Sequence, residues 1–162
     1  MAYGIEELRG AIRDVVYEYS NLISAAYWDM CPSRWRGHAD DAFLLGCRKL
    51  GDFLMQDERE KDNVLATDYL PEGKDRTWSL PIWDGQWRAP MNKQLAHIAL
   101  DRSKVWDHQK WVPLLEKEFR DAWRKFRKAI VDEEFKREFE RQLTERESAF
   151  EGPVLKRFRA SR

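Results

Sequence analysis

From Ile5 to Ala26 the apolar residues return at alternating steps of three and four, at Ile5, Leu8, Ile12, Val15, Tyr19, Leu22 and Ala26. That spacing follows the 3.6-residue turn of an α-helix and not the two-residue repeat of a strand. Val16, Ile23 and Tyr27 widen the stripe to a full core-facing surface, which predicts a helix from about Ile5 to Asp29. A helix with one apolar face must bury it against something, and the same period recurs downstream. Phe43, Cys47, Leu50 and Leu54 form a second stripe, with Leu44 and Phe53 beside it; Val112, Leu115, Phe119, Trp123 (or Ala122), Phe126 and Ile130 form another. Successive stripes of this kind predict an all-α fold, a helical bundle of four to five helices.

The breaks between stripes set the expected boundaries. "CPSRWRG" ends the first helix, because Pro32 disfavours helix at the residue before it and Gly37 suits an irregular turn. The second helix is expected from His38 or Asp40, whose carboxylate can cap, to about Gln56. Gly46 and Gly51 inside it each cost about 1 kcal/mol relative to Ala, which points to close approach of a neighbouring helix. Pro90 suits the first position of a short third helix with Met91, Leu95 and Ile98 on its buried side. The last helix is expected to carry Pro113 in its first turn and to run past Phe135 and Phe139 to about Thr144. Glu and Lys or Arg lace its outer face.

Residues 57–89 show no sustained period, and a structureless loop of that length is uncommon inside a compact domain. "NVLATDYL" is expected to form a helical turn or two. Trp78, Trp83 and Trp87 place three indoles in ten residues, which need apolar cover, so this aromatic-rich loop is expected to pack back on the bundle. Residues 1–147 then form a single domain, and 148–162 a tail made basic by Lys156, Arg157, Arg159 and Arg162. The tail is read first as a solvated terminus and second as a contact for RNA or an acidic partner.

Charge and cysteine usage narrow the function. Lys plus Arg (29) balance Asp plus Glu (29), so the chain lacks the overall positive field of a protein that holds nucleic acid by bulk charge. Any RNA contact would have to be local. Cys31 and Cys47 form no CxxC pair and have no histidine at zinc-finger spacing, so both are expected to be buried free thiols and no metal or other cofactor is expected. No segment approaches the roughly 18 apolar residues of a membrane span, and no leader-like stretch opens the chain, so a cytoplasmic protein without membrane contact is expected.

The chemistry-bearing stretch is "PMNKQLAHIALDR". On a helix Lys93, His97 and Asp101 lie one turn apart on a single face, where Asp101 favours the imidazolium and Lys93 opposes it. Asn92 and Arg102 flank that face, five residues to either side of His97. The plainer alternative makes these solvated positions opposite the Met91, Leu95, Ile98 stripe. His38 and His108 read as surface or capping residues.

"MNKQLAH", preceded by two long helices and followed by another, resembles the helix-borne Arg-x4-6-His motif of HEPN proteins. Together with the Asp-rich start of "HADDAFLLGCRKLGDFL", it is most similar to the AbiU2-like abortive-infection group, over about residues 5 to 135. The resemblance implies a prokaryotic defence or toxin-type protein and a homodimer whose paired motifs form one cleft. It also implies a metal-independent ribonuclease in which His97 is the acid/base and the 2′-hydroxyl of RNA is the nucleophile. Asn92 stands where the family usually has Arg, and Asn cannot neutralise a phosphate as guanidinium does. Lys93, Arg88 or Arg102 would then supply the charge, with Arg88, Asp101 and Arg102 as substrate contacts. The alternative is a non-catalytic interaction module that dimerises and binds a protein partner; a small-molecule site beneath Trp78, Trp83 and Trp87 is a third.

Overall fold

The computed structural model of the chain describes residues 3–27, 36–56, 63–89 and 107–150, together with residues 156 and 159. Four helices make the frame: α1 (Ile5–Ala25), α2 (Arg36–Met55), α3 (His108–Ala129) and α4 (Glu133–Glu147). The fold is an all-α helical bundle. α1 packs against α2 and α4, and α2 against α3.

The stripes read from the sequence are the core. Leu8, Ile12, Val16, Tyr19, Leu22 and Ile23 of α1 are buried, as are Phe43, Leu44, Cys47, Leu50, Phe53 and Leu54 of α2 and Val112, Leu115, Phe119, Ala122, Trp123 and Phe126 of α3. Ile5 departs from its stripe: it is 58% exposed in the first turn of α1. Phe126 sits at the centre of the rings, in edge-on contact with Phe53, Tyr69, Trp78 and Phe139, while Tyr19 stacks flat on Trp123 at 4.3 Å.

The helix ends follow from local chemistry. The Glu7 carboxylate accepts a hydrogen bond from the Gly4 N–H at 2.7 Å, relieving an orphan donor at the start of α1. α1 passes into a turn at Ala26–Tyr27, and Asp29, the expected last residue, lies outside the described residues. α2 begins at Arg36, upstream of the expected His38 or Asp40. α3 begins at His108 on the Asp107 cap, which accepts from the Lys110 N–H. Pro113 therefore falls in the second turn of α3, not the first, and leaves the Gln109 carbonyl without its usual helical donor.

The expected single last helix is two. The chain turns at Ile130, with ψ at 126°, and restarts on Asp132, whose carboxylate accepts from the N–H groups of Glu134 (2.8 Å) and Phe135 (3.0 Å). An aspartate two residues after the break, followed by Glu133 and Glu134 in the first turn, is a strong helix start. The break lets α4 turn onto α1 while Ile130 stays in the core, and it buries Phe135, Phe139 and Leu143.

Residues 63–89 pack back on the bundle through caps and indoles. A 3-10 turn at Ala66–Tyr69 is closed by Asp68, which accepts from the Leu65 N–H, and it buries Tyr69, whose hydroxyl donates to the Leu8 carbonyl at 2.9 Å. The chain reverses at Gly73, where φ is +75° and a side chain would be strained. Lys74 then donates to the Ala129 carbonyl at the end of α3; Arg76 and Trp78 donate to the Met55 and Leu54 carbonyls at the end of α2. These side chains satisfy helix-end carbonyls that would otherwise lack donors. No periodic sequence signal is needed for that. Trp78, Trp83 and Trp87 are all core residues, so their apolar surface is spent on the bundle and not on a small-molecule site.

Candidate functional site

Pro81 opens a short helical run that widens into a π-helical turn at Trp83–Trp87 and leads into the "PMNKQLAHIALDR" segment. Its start is held from across the bundle. Glu118 of α3 accepts hydrogen bonds from the N–H groups of Ile82 (2.7 Å) and Trp83 (3.0 Å), acting as a cap from another element. Partial burial raises the Glu118 pKa above the usual carboxylate range, and the two backbone donors oppose that rise. The Trp83 indole lies against Gly51 of α2 and edge-on to Phe119. Gly51 thus marks close approach of an indole, whereas Gly46 marks the expected close approach of a helix, with a Cβ there meeting Leu22 of α1 at 3.2 Å.

The described residues on either side of the segment meet. Trp87, just before it, contacts Trp111 in the first turn of α3 with ring centroids 4.9 Å apart. The described residues that flank the segment are therefore held together at one place. That place is beside α2, because the Arg88 guanidinium reaches Asp84 at 3.1 Å and Asp52 of α2 at 3.9 Å. Arg88 is about one-third exposed and already faces two carboxylates. His97, Asn92, Lys93, Asp101 and Arg102 lie outside the described residues. His38 is exposed on α2, and the side chain of His108 lies outside the described residues, as does Cys31. Cys47 is a buried free thiol whose pKa burial pushes well up.

Two features carry no signature in the apolar period. One is Glu116, fully buried on α3, with Arg120 at 3.7 Å one turn on. The sequence signal for it is its position: Glu116 lies on the buried side between Val112 and Trp123, where a carboxylate needs a cation. The other is a cleft of about 210 Å³ between the end of α3 and α4, lined by Arg124, Arg127, Lys128 and Lys136 with Glu140, over Ile130 and Phe139. Its signal is "RKFRK", which puts four basic residues into the last turns of α3.

Among the described residues no helix is long and apolar enough to cross a membrane. Comparison with protein-family models, curated proteins and solved structures finds no match for this chain.

Proposed function

We propose that this chain is a HEPN-like prokaryotic defence or toxin-type protein that acts on RNA as a homodimer, with His97 as the acid/base of a metal-independent cleavage. The observation that carries the reading is "MNKQLAH" within an all-helical bundle, with long helices before and after it. The meeting of Trp87 and Trp111 supports it, because a segment tied at both ends to one place on a rigid frame is suited to presenting a histidine. In this chemistry His97 takes the proton of a 2′-hydroxyl or returns one to the leaving 5′-oxygen, and the 2′-oxygen attacks the adjacent phosphorus. The product ends are a 2′,3′-cyclic phosphate and a 5′-hydroxyl. The test is incubation of the purified chain with RNA in the presence of a chelator. The expected result is cleavage to cyclic-phosphate ends, abolished by His97→Ala; RNAs left intact by both proteins would refute it.

A second reading is favoured by Asn92 and Arg88. Asn92 brings no charge where a phosphate needs one, and Arg88 would have to leave Asp84 and Asp52 to supply it. On this reading the bundle is a non-catalytic module that dimerises and binds a protein partner. Asn92→Arg separates the two: a dormant nuclease gains cleavage, and a scaffold does not.

A further inference from the structure

The cleft between α3 and α4 is a basic concavity on a chain with no net charge. Four cations and one carboxylate line it. We infer that this cleft, built from α3 and α4, grips the phosphate backbone of single-stranded RNA; the inference rests on the protein being one that acts on RNA.

The cations are placed to share such a strand. Arg124 and Lys128 are one turn apart on α3, about 6 Å along the axis, a separation close to the step between successive phosphates of an extended strand. Lys136 faces them from α4, and Arg127 lies between. Their existing partners leave capacity. Arg127 is taken by Glu140, and Lys136 pairs with Glu133 at 2.6 Å, but Lys136 is 40% exposed, where such a pair is worth little. Lys128 is exposed and has no ion-pair partner among the described residues. The Arg124 guanidinium reaches Asp121 at 3.5 Å through Nη1, while its Nε is buried without a hydrogen-bond acceptor among the described residues. The Arg124 side chain is 38% exposed, so its surface pair with Asp121 holds it only weakly.

The charge of the walls, more than the floor, favours the phosphate backbone of a nucleic acid. Ile130 and Phe139 are each only 1% exposed, so they offer almost no apolar surface to a peptide side chain. The four cations on its walls are what a phosphate backbone would meet, and they read it without regard to sequence.

The experiment uses the full chain carrying His97→Ala, so that cleavage cannot intervene, and a fluorescently labelled oligouridylate followed by anisotropy across a salt series. The parent is expected to bind with an affinity that falls as salt rises. Lys128→Glu with Lys136→Glu should weaken binding at least about tenfold and flatten the salt slope by about 1.4, the share of two phosphate contacts on a single strand. Arg13→Glu with Lys110→Glu, exposed cations elsewhere, changes net charge equally and should have a much smaller effect. Both double variants alter exposed side chains, and circular dichroism verifies their fold. Equal losses in the two variants, or no loss in the cleft variant, would overturn the inference. So would a parent that binds polyglutamate and not the oligouridylate. RNA cleavage by the unmodified chain is read separately, so the His97 reading can stand when the cleft fails.

Discussion

Gly51→Ala is expected to destabilise the protein although it improves the helix propensity of α2. An ideal Cβ at position 51 would lie 2.4 Å from Nε1 of Trp83, 2.9 Å from Cε2 and 3.2 Å from Cδ1. Ordinary contact needs about 3.5 Å, so the indole would have to retreat by about 1 Å. It has nowhere to go: Trp83 is wholly buried, edge-on to Phe119 at 5.7 Å, and its backbone is tied to Glu118. Overpacking of a rigid bicyclic ring falls toward the upper end of about 1–3 kcal/mol, against a propensity gain of about 1 kcal/mol. The net loss is about 2 kcal/mol, or roughly 4–8 °C in Tm for a chain of this size. Gly10 is the matched control, since it lies in α1 with nothing within 4 Å of a Cβ, and Gly10→Ala should stabilise by about 0.5–1 kcal/mol. Urea unfolding followed by far-ultraviolet circular dichroism reads both. Trp83→Phe removes the pyrrole ring that collides, so the Gly51→Ala, Trp83→Phe double variant should cost about 1 kcal/mol less than the two single costs added. A Gly51→Ala protein as stable as Gly10→Ala would refute the close approach.

Three further outcomes are expected. Asp132→Ala removes the acceptor for two backbone donors at the start of α4 and should cost about 1 kcal/mol in urea unfolding, while Asp132→Asn should cost much less. Glu118→Ala orphans the Ile82 and Trp83 N–H groups and should cost about 2–3 kcal/mol. The folded Glu118 pKa is raised, so in the window between the unfolded and folded values the native state binds more proton than the unfolded chain. Its contribution is therefore full below the ordinary glutamate pKa and declines as pH rises through the folded value. Glu118→Gln should flatten stability against pH in that window, and an unchanged pH profile would contradict the assignment. Finally, in a Cys31→Ser background Cys47 should resist iodoacetamide in the folded protein and react once urea unfolds it, as measured by mass spectrometry.

The bundle was legible because helical burial is periodic. Leu8 to Ile23, Phe43 to Leu54 and Val112 to Phe126 announce their inward faces by spacing alone, and nearly all of these residues are buried as that spacing predicts. The turn at Ile130–Asp132 was partly legible: Asp132 followed by two glutamates is a cap signal, but the apolar period runs on into Phe135 and Phe139 and masks it. Residues 63–89 were legible only as aromatic surface seeking cover. What Lys74, Arg76 and Trp78 do depends on carbonyls at the ends of α2 and α3, about 20 to 55 residues away in sequence, and no local pattern encodes a partner at that distance.

The candidate functional residues divide along the same line. His97 with Lys93 and Asp101 is a statement about one helical face, which a sequence can make by itself. The availability of Arg88 is not, because Asp52 that holds it belongs to another helix. The same holds for the cleft. "RKFRK" shows that α3 ends in basic residues, but only the turn at Ile130 brings Lys136 of α4 across from Arg124 and Lys128 to make a concavity of them. Periodicity determines which face of each helix is buried, since burial follows a short-range repeat. The pairing of charges and caps between elements is decided by the tertiary structure, because it depends on distances that only packing sets.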